Sequence, residues 1–135
     1  MQALLISTRK GLFQAKAVGG QYQIVQESFL GDPVTLTLHD ASDNILYAAL
    51  EHGHFGPKLH RSDDGGQSWT EIGTPAYPTK PEDSEDKTAW SLKSIWSLAS
   101  AGKDKPGALW CGTIPGGLFY SEDRGETWKL CEALW

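Results

Sequence analysis

Apolar and polar positions alternate in short runs along the 135 residues, and no window holds apolar residues at i, i+3, i+4 and i+7 for three turns. The pattern predicts an all-β chain. Runs rich in β-branched and aromatic residues, punctuated by Gly and Pro, place strands at 3–8, 11–17, 22–29, 34–39, 45–50, 58–62, 69–72, 94–100, 108–114, 117–121 and 128–132.

The chain also repeats itself. Ser62-Asp63-Asp64-Gly65-Gly66-Gln67-Ser68-Trp69 and Ser121-Glu122-Asp123-Arg124-Gly125-Glu126-Thr127-Trp128 share the pattern SxDxGxxW at an offset of 59 residues. A strand and turn precede each copy: 45–50 before Lys58-Leu59-His60-Arg61, and 108–113 before Gly117-Leu118-Phe119-Tyr120. The N-terminus holds a decayed third copy, in which Leu4 to Thr8 and Gly11 to Gln14 match the strand pair but no octapeptide follows. Four-stranded units repeating in this way predict β-propeller blades. They lie within a single partial unit, 1–135: blade 1 at 1–30, blade 2 at 31–76 followed by an inserted loop at 77–93, and blade 3 at 94–135. Labelling the strands A to D from the axis outward, blade 1 begins at B and lacks its inner strand. About three blades make an incomplete ring, so the expected partners are another copy of the chain, giving a homo-oligomer, or the remainder of a larger propeller.

Composition narrows the function classes. A formal net charge of -5 lacks the basic excess that nucleic acid or an anionic membrane calls for. The longest apolar run, Ile45 to Leu50, is far short of a membrane span, and Arg9 and Lys10 follow the apolar start too closely for a signal sequence. These features predict a cytoplasmic protein without a nucleic-acid or membrane partner. Cys111 and Cys131 have no zinc-ligand spacing and form no disulfide framework, and no cofactor is expected.

At the two octapeptides the sequence resembles the BNR or Asp-box repeat family, whose members include sialidases, sortilin-type receptors, xyloglucan-degrading hydrolases and a photosystem II assembly propeller. The chain as a whole is similar to the first third of sialidase-like bacterial proteins labelled glycosyl hydrolase. The resemblance implies structural roles for Ser62, Asp64, Gly66 and Trp69 and for Ser121, Asp123, Gly125 and Trp128, on the face away from an active site. The residues support the same roles. Each Asp accepts N–H groups across a C to D hairpin, each Gly supplies a positive φ, and each Trp packs beneath the loop. A calcium loop from Asp63, Asp64 and Glu71 would lack the ligand alternation of an EF-hand.

The resemblance further implies that ligands meet the opposite face, built from the B to C and D to A loops. Arg9, His52, His54, Tyr77 and Trp90 are the candidate ligand-binding residues there. His52 and His54 would alternate on an extended backbone as a candidate metal pair near Glu51 or Asp32, against a reading as hydrogen-bonded loop histidines beside Gly53 and Gly56. Asp32 and Glu51 are the candidate catalytic carboxyls of a glycosidase, which needs two flanking the bond. The opposing reading makes Asp32 a turn residue before Pro33 and Glu51 a solvated strand end. A sialidase also needs three arginines around a carboxylate, and Arg9, Arg61 and Arg124 are the only three in the chain, two of them in or beside the octapeptides. Trp96 and Trp110 are expected in the inter-blade core. Tyr77 and Trp90 could stack on carbohydrate, and 82–86 is expected to be a solvated loop tip. The first reading is a propeller module for ligand or protein binding and assembly. The alternative is a sialidase-like glycoside hydrolase whose site forms only in a completed ring.

Overall fold

A computed structural model describes residues 3–135. Its strands are β1 (Ala3–Thr8), β2 (Gly11–Val18), β3 (Gln21–Ser28), β4 (Val34–Asp40), β5 (Ile45–Glu51), β6 (Pro57–Ser62), β7 (Thr70–Ile72), β8 (Ser94–Ser100), β9 (Leu109–Ile114), β10 (Gly117–Ser121) and β11 (Lys129–Leu130). Short 3-10 turns lie at Gly53–Phe55 and Glu132–Leu134. The strands form three antiparallel sheets in the orders β1-β2-β3, β4-β5-β6-β7 and β8-β9-β10-β11. These are the three expected blades, and among the described residues no inner strand pairs with β1. No helix among the described residues is long and apolar enough to cross a membrane.

The core lies between blades. Val34, Ala48 and Leu50 of blade 2 pack with Leu12 of blade 1, and Leu5, Phe29 and Trp69 close over them. On its other side blade 2 sets Tyr47, Ala49, Leu59 and Ile72 against Ile95, Leu109, Cys111 and Phe119 of blade 3. Successive side chains of a strand point to opposite faces, so β5 sends Ala48 and Leu50 toward blade 1 and Tyr47 and Ala49 toward blade 3. A strand covered on both faces needs no polar alternation, which is why Ile45 to Leu50 is a continuous apolar run and wholly buried. Full burial of a side chain such as Leu59 or Phe119 contributes about 1.5–3 kcal/mol. Burial also pushes the Cys111 thiol up to about 12, so it packs as an inert apolar group.

The outer blades have one bare face each. Trp96 is 72% exposed and Trp110 39%, which corrects their expected place in the inter-blade core. They stand on the side of blade 3 away from blade 2, where none of the described residues covers them. Blade 1 likewise exposes Ile6 and Ile24 on the side away from blade 2, and Leu4 and Tyr22 are exposed as well, lining a cavity of 590 Å³ that blade 2 shares through His39, Asn44, Leu46 and Gly65.

Candidate functional site

The two octapeptides fold almost identically. Ser62 Oγ donates to Asp64 Oδ1 at 2.8 Å and accepts the Gly66 N–H at 2.8 Å. Asp64 also accepts the Ser68 N–H at 2.9 Å and the Ser68 hydroxyl at 2.5 Å. In the second copy Ser121 Oγ donates to Asp123 at 2.8 Å and accepts the Gly125 N–H at 2.9 Å, while Thr127 donates to Asp123 through its N–H and its hydroxyl. The turn requires a left-handed residue at Gly66 (φ 91°) and Gly125 (φ 81°), where a Cβ would also meet a neighbouring side chain. Hydrogen bonds from the Ser68 side chain and backbone hold the Asp64 carboxyl at about 2. Burial pushes Asp123 up, but the bonds from Thr127 and Ser121 outweigh it and its carboxyl is also lowered. The carboxylates are occupied within their own turns, and no group of three or more His, Cys, Asp or Glu among the described residues is placed to hold a metal.

Each octapeptide tryptophan reaches the preceding blade. Trp69 Nε1 is shared between Ser28 Oγ (3.1 Å) and Gly66 O (3.2 Å), and Trp128 Nε1 donates to Gly73 O at 2.9 Å. Arg61 extends the junction by donating to the Arg124 carbonyl at 3.2 Å and pairing with Glu126 at 3.0 Å, and Arg124 Nε meets Asp43 at 2.9 Å. Both guanidiniums are thus occupied at the blade 2 and blade 3 junction, while Arg9 lies in the β1 to β2 turn at the other end of the strands.

On that other face, backbone bonds join the connections between blades to the B to C turns: Gly31 N to Lys10 O, Glu51 N to Pro33 O, and Lys93 N to Ile114 O, at 2.9–3.0 Å. The candidate carboxyls turn to different neighbours. Glu51 lines a small cleft of 120 Å³ with Gly53, Gly56, Pro57 and Lys93 at the approach to blade 3. Asp32 donates its N–H to Phe29 O and stands near His60, on the blade 1 side. The extended backbone expected across His52 and His54 is instead a 3-10 turn, with Gly53 at φ 55° and Gly56 at φ 75°. His54 packs edge-on to the exposed Phe55, and His52 bonds through its backbone to Gly56 and Phe55.

Tyr77 and Trp90 do come together, through a residue that sequence reasoning did not assign. Trp135 packs on both rings, with centroids 5.3 Å from Tyr77 and 5.2 Å from Trp90. Tyr77 also sits edge-on to Phe119 at 5.5 Å and donates its hydroxyl to Pro115 O at 2.6 Å, with Thr113 Oγ1 equally near. Burial raises the Tyr77 phenol. The acidic run is an exposed loop, and one of its carboxyls is engaged. Asp86 accepts Trp90 Nε1 at 2.8 Å and the Thr88 N–H at 2.8 Å, bonds that lower its carboxyl, and Lys80 donates to the Asp86 and Thr88 carbonyls. The result is a cleft of 330 Å³ walled by Trp90, Trp135, Leu134, Pro115 and Gly116, with Asp86 and Thr88 at its rim.

The BNR/Asp-box repeat family matches at residues 60–71 and 119–130, which span both octapeptides with parts of their flanking strands. The chain carries two BNR repeats. Among solved structures it is similar to that of YCF48 bound to D1 peptide, at 16% identity and a TM-score of 0.57, covering 93% of this chain and 34% of that one. That likeness shows the propeller fold, and the chain spans about a third of the length of this neighbour. A search among curated proteins finds no match.

The BNR repeats therefore occupy one end of the blades and the aromatic cleft the other. One signal for the cleft was present in the sequence: Asp86 followed two residues later by Thr88 is an Asx-turn pattern.

Proposed function

We propose that this BNR-repeat propeller segment is a peptide-binding module whose site is the cleft between Trp90, Trp135 and Pro115. The observation that carries this reading is the aromatic group Tyr77, Trp90 and Trp135, held in place at the open end of the blades and left partly accessible. Aromatic walls with one carboxylate at the rim suit an extended segment that inserts an apolar side chain and sets a positive charge beside Asp86. Glu82, Asp83 and Glu85, all exposed, reinforce that charge preference. The D1 peptide bound to YCF48 gives a precedent for the same fold engaging a peptide.

The glycosidase alternative has less support, because Asp32 and Glu51 approach different neighbours and Arg61 and Arg124 are engaged at the far end. The test is fluorescence anisotropy with labelled decapeptides that alternate apolar residues and arginine, against the same peptides with glutamate for arginine and against sialyl and xyloglucan oligosaccharides. Arginine peptides should bind, and Trp90→Ala should weaken them tenfold or more, as for an aromatic anchor. Binding of the oligosaccharides alone would overturn the peptide reading.

A further inference from the structure

We propose that Asp40, Asp43 and Tyr47 form a calcium site that ties blade 2 to blade 3 at the BNR end of their junction. Each carboxylate uses only one of its oxygens. Asp40 Oδ1 accepts the Ser42 N–H at 3.0 Å, the Ser42 hydroxyl at 2.6 Å and, from β8 of blade 3, the Ser100 hydroxyl at 2.9 Å. Asp43 Oδ2 meets Arg124 Nε of the second repeat at 2.9 Å. The other two oxygens, Asp40 Oδ2 and Asp43 Oδ1, are buried without a partner among the described residues, and so is the Tyr47 hydroxyl. Asp40 and Tyr47 are buried and only 9% of the Asp43 side chain is exposed, so each idle oxygen carries the cost of its desolvation with nothing to offset it.

Strand register brings the three together. Asp40 lies opposite Ile45, and Leu38 opposite Tyr47, so Asp40, Ile45 and Tyr47 share the face of blade 2 that meets blade 3. Asp43 belongs to the β4 to β5 turn at the end of that face, where Arg124 holds it. Burial, then the charges of Asp43 and Asp40, raise the Tyr47 phenol against the pull of Arg61 and Arg124, so it stays a neutral hydroxyl beside both carboxylates. Burial pushes the Asp40 carboxyl up, but its bonds from Ser42 and Ser100 outweigh that, so it is an anion at neutral pH.

The charge left over at the junction fits a divalent ion. Arg61 pairs with Asp63 and Glu126, and Arg124 with Asp43, so with Asp40 there are four carboxylates to two guanidiniums. An all-oxygen set, part of it anionic, selects a hard cation over zinc or copper, which favour nitrogen and sulfur. Calcium suits the site better than magnesium, because it accepts about six to eight oxygens in irregular geometry and does not demand a regular octahedron. Its remaining ligands come from the solvent side, where a polar cleft of 360 Å³ walled by Arg61, Gly107, Arg124 and Glu126 opens on the same junction. None of these residues lines the peptide cleft at the other end of the blades, so the two proposals stand or fall separately.

The test is calcium titration of the purified chain after treatment with EDTA, read by calorimetry and by the thermal midpoint of tryptophan fluorescence. The unaltered chain should bind one calcium ion and gain a saturable rise in midpoint, with magnesium at equal ionic strength giving a much weaker response. Asp43→Asn and Tyr47→Phe, which keep the shape of the side chains, should each weaken calcium binding tenfold or more. Asp64→Asn in the first repeat should leave the calcium affinity unchanged, which separates loss of the site from loss of stability. A chain that binds no calcium, a midpoint that magnesium raises equally, or binding that survives both Asp43→Asn and Tyr47→Phe would overturn the proposal. The first two outcomes are read on the unaltered chain and need no variant to fold.

Discussion

The indole of Trp128 donates to the carbonyl of Gly73, 55 positions earlier and on the preceding blade, at 2.9 Å. At this point the exit of blade 2 presses against the second BNR repeat so closely that a Cβ on Gly73 would collide with the Glu126 carbonyl. Gly73→Ala must therefore push two backbones apart, an overpacking cost of about 1–3 kcal/mol. Trp128→Phe keeps most of the apolar ring and loses the hydrogen bond, for about 1 kcal/mol. Urea midpoints measure both, and a Gly73→Ala protein as stable as the parent would show that the junction yields more easily than this geometry allows.

Asp64 predicts the acid behaviour of the first repeat. Its carboxyl sits at about 2 in the folded chain, below the ordinary value near 4, so the folded state favours the ionised form. The stability it contributes is complete above the ordinary value and disappears as pH falls through about 2. Asp64→Asn should lower the urea midpoint at neutral pH, with the gap to the parent closing between pH 4 and pH 2. A gap that is constant with pH would assign the loss to shape instead of charge.

His60 predicts a second dependence at higher pH. It packs edge-on to Phe29 at 4.9 Å, and its Nδ1 is buried without a partner among the described residues. Burial lowers its pKa, helped by His52 and Lys58 and opposed by Glu71 and Asp32. The unfolded chain then binds the extra proton first, so stability is complete above about 6.5, the ordinary histidine value, and falls as pH drops through the folded value. Thermal midpoints from pH 7 to pH 5 should decline, and His60→Phe, which suits a site beside Phe29, should flatten the decline. An unchanged slope would place the responsible group elsewhere.

Tyr77→Phe tests how the cleft is held. The hydroxyl ties the inserted segment to Pro115 and Thr113, while the ring contacts to Phe119 and Trp135 do not need it. The expected cost is about 1 kcal/mol of stability, with arginine-peptide affinity reduced less than in Trp90→Ala. Equal loss in both variants would mean that Tyr77 positions the whole cleft.

The strands were legible because their determinants are local. Alternation, Gly and Pro punctuation and the SxDxGxxW pattern mark all eleven, and even the doubly covered β5 announces itself as a continuous apolar run. What escaped depended on distant partners or on turn geometry. The meeting of Trp135 with Tyr77 and Trp90 joins the C-terminal turn to an insert between blades, which no periodicity encodes. Gly53 and Gly56, whose positive φ values bend a segment that a strand pattern would extend, place His52 and His54 in a turn, as in the loop reading of that pair. Trp96 and Trp110 were expected in the inter-blade core, but the blade face they stand on has no covering blade among the described residues.

The reach of Trp69 and Trp128 also gives the array a direction of growth. Each tryptophan fastens its own blade to the one before it, so a duplicated unit carrying this hairpin brings its fastener with it when added after an existing blade. Added in front of blade 1, it would meet a β2 to β3 turn of Gly19 and Gly20 that has no tryptophan to reach back with. Blade 1 therefore lacks the fastener with which blades 2 and 3 each hold the blade before them.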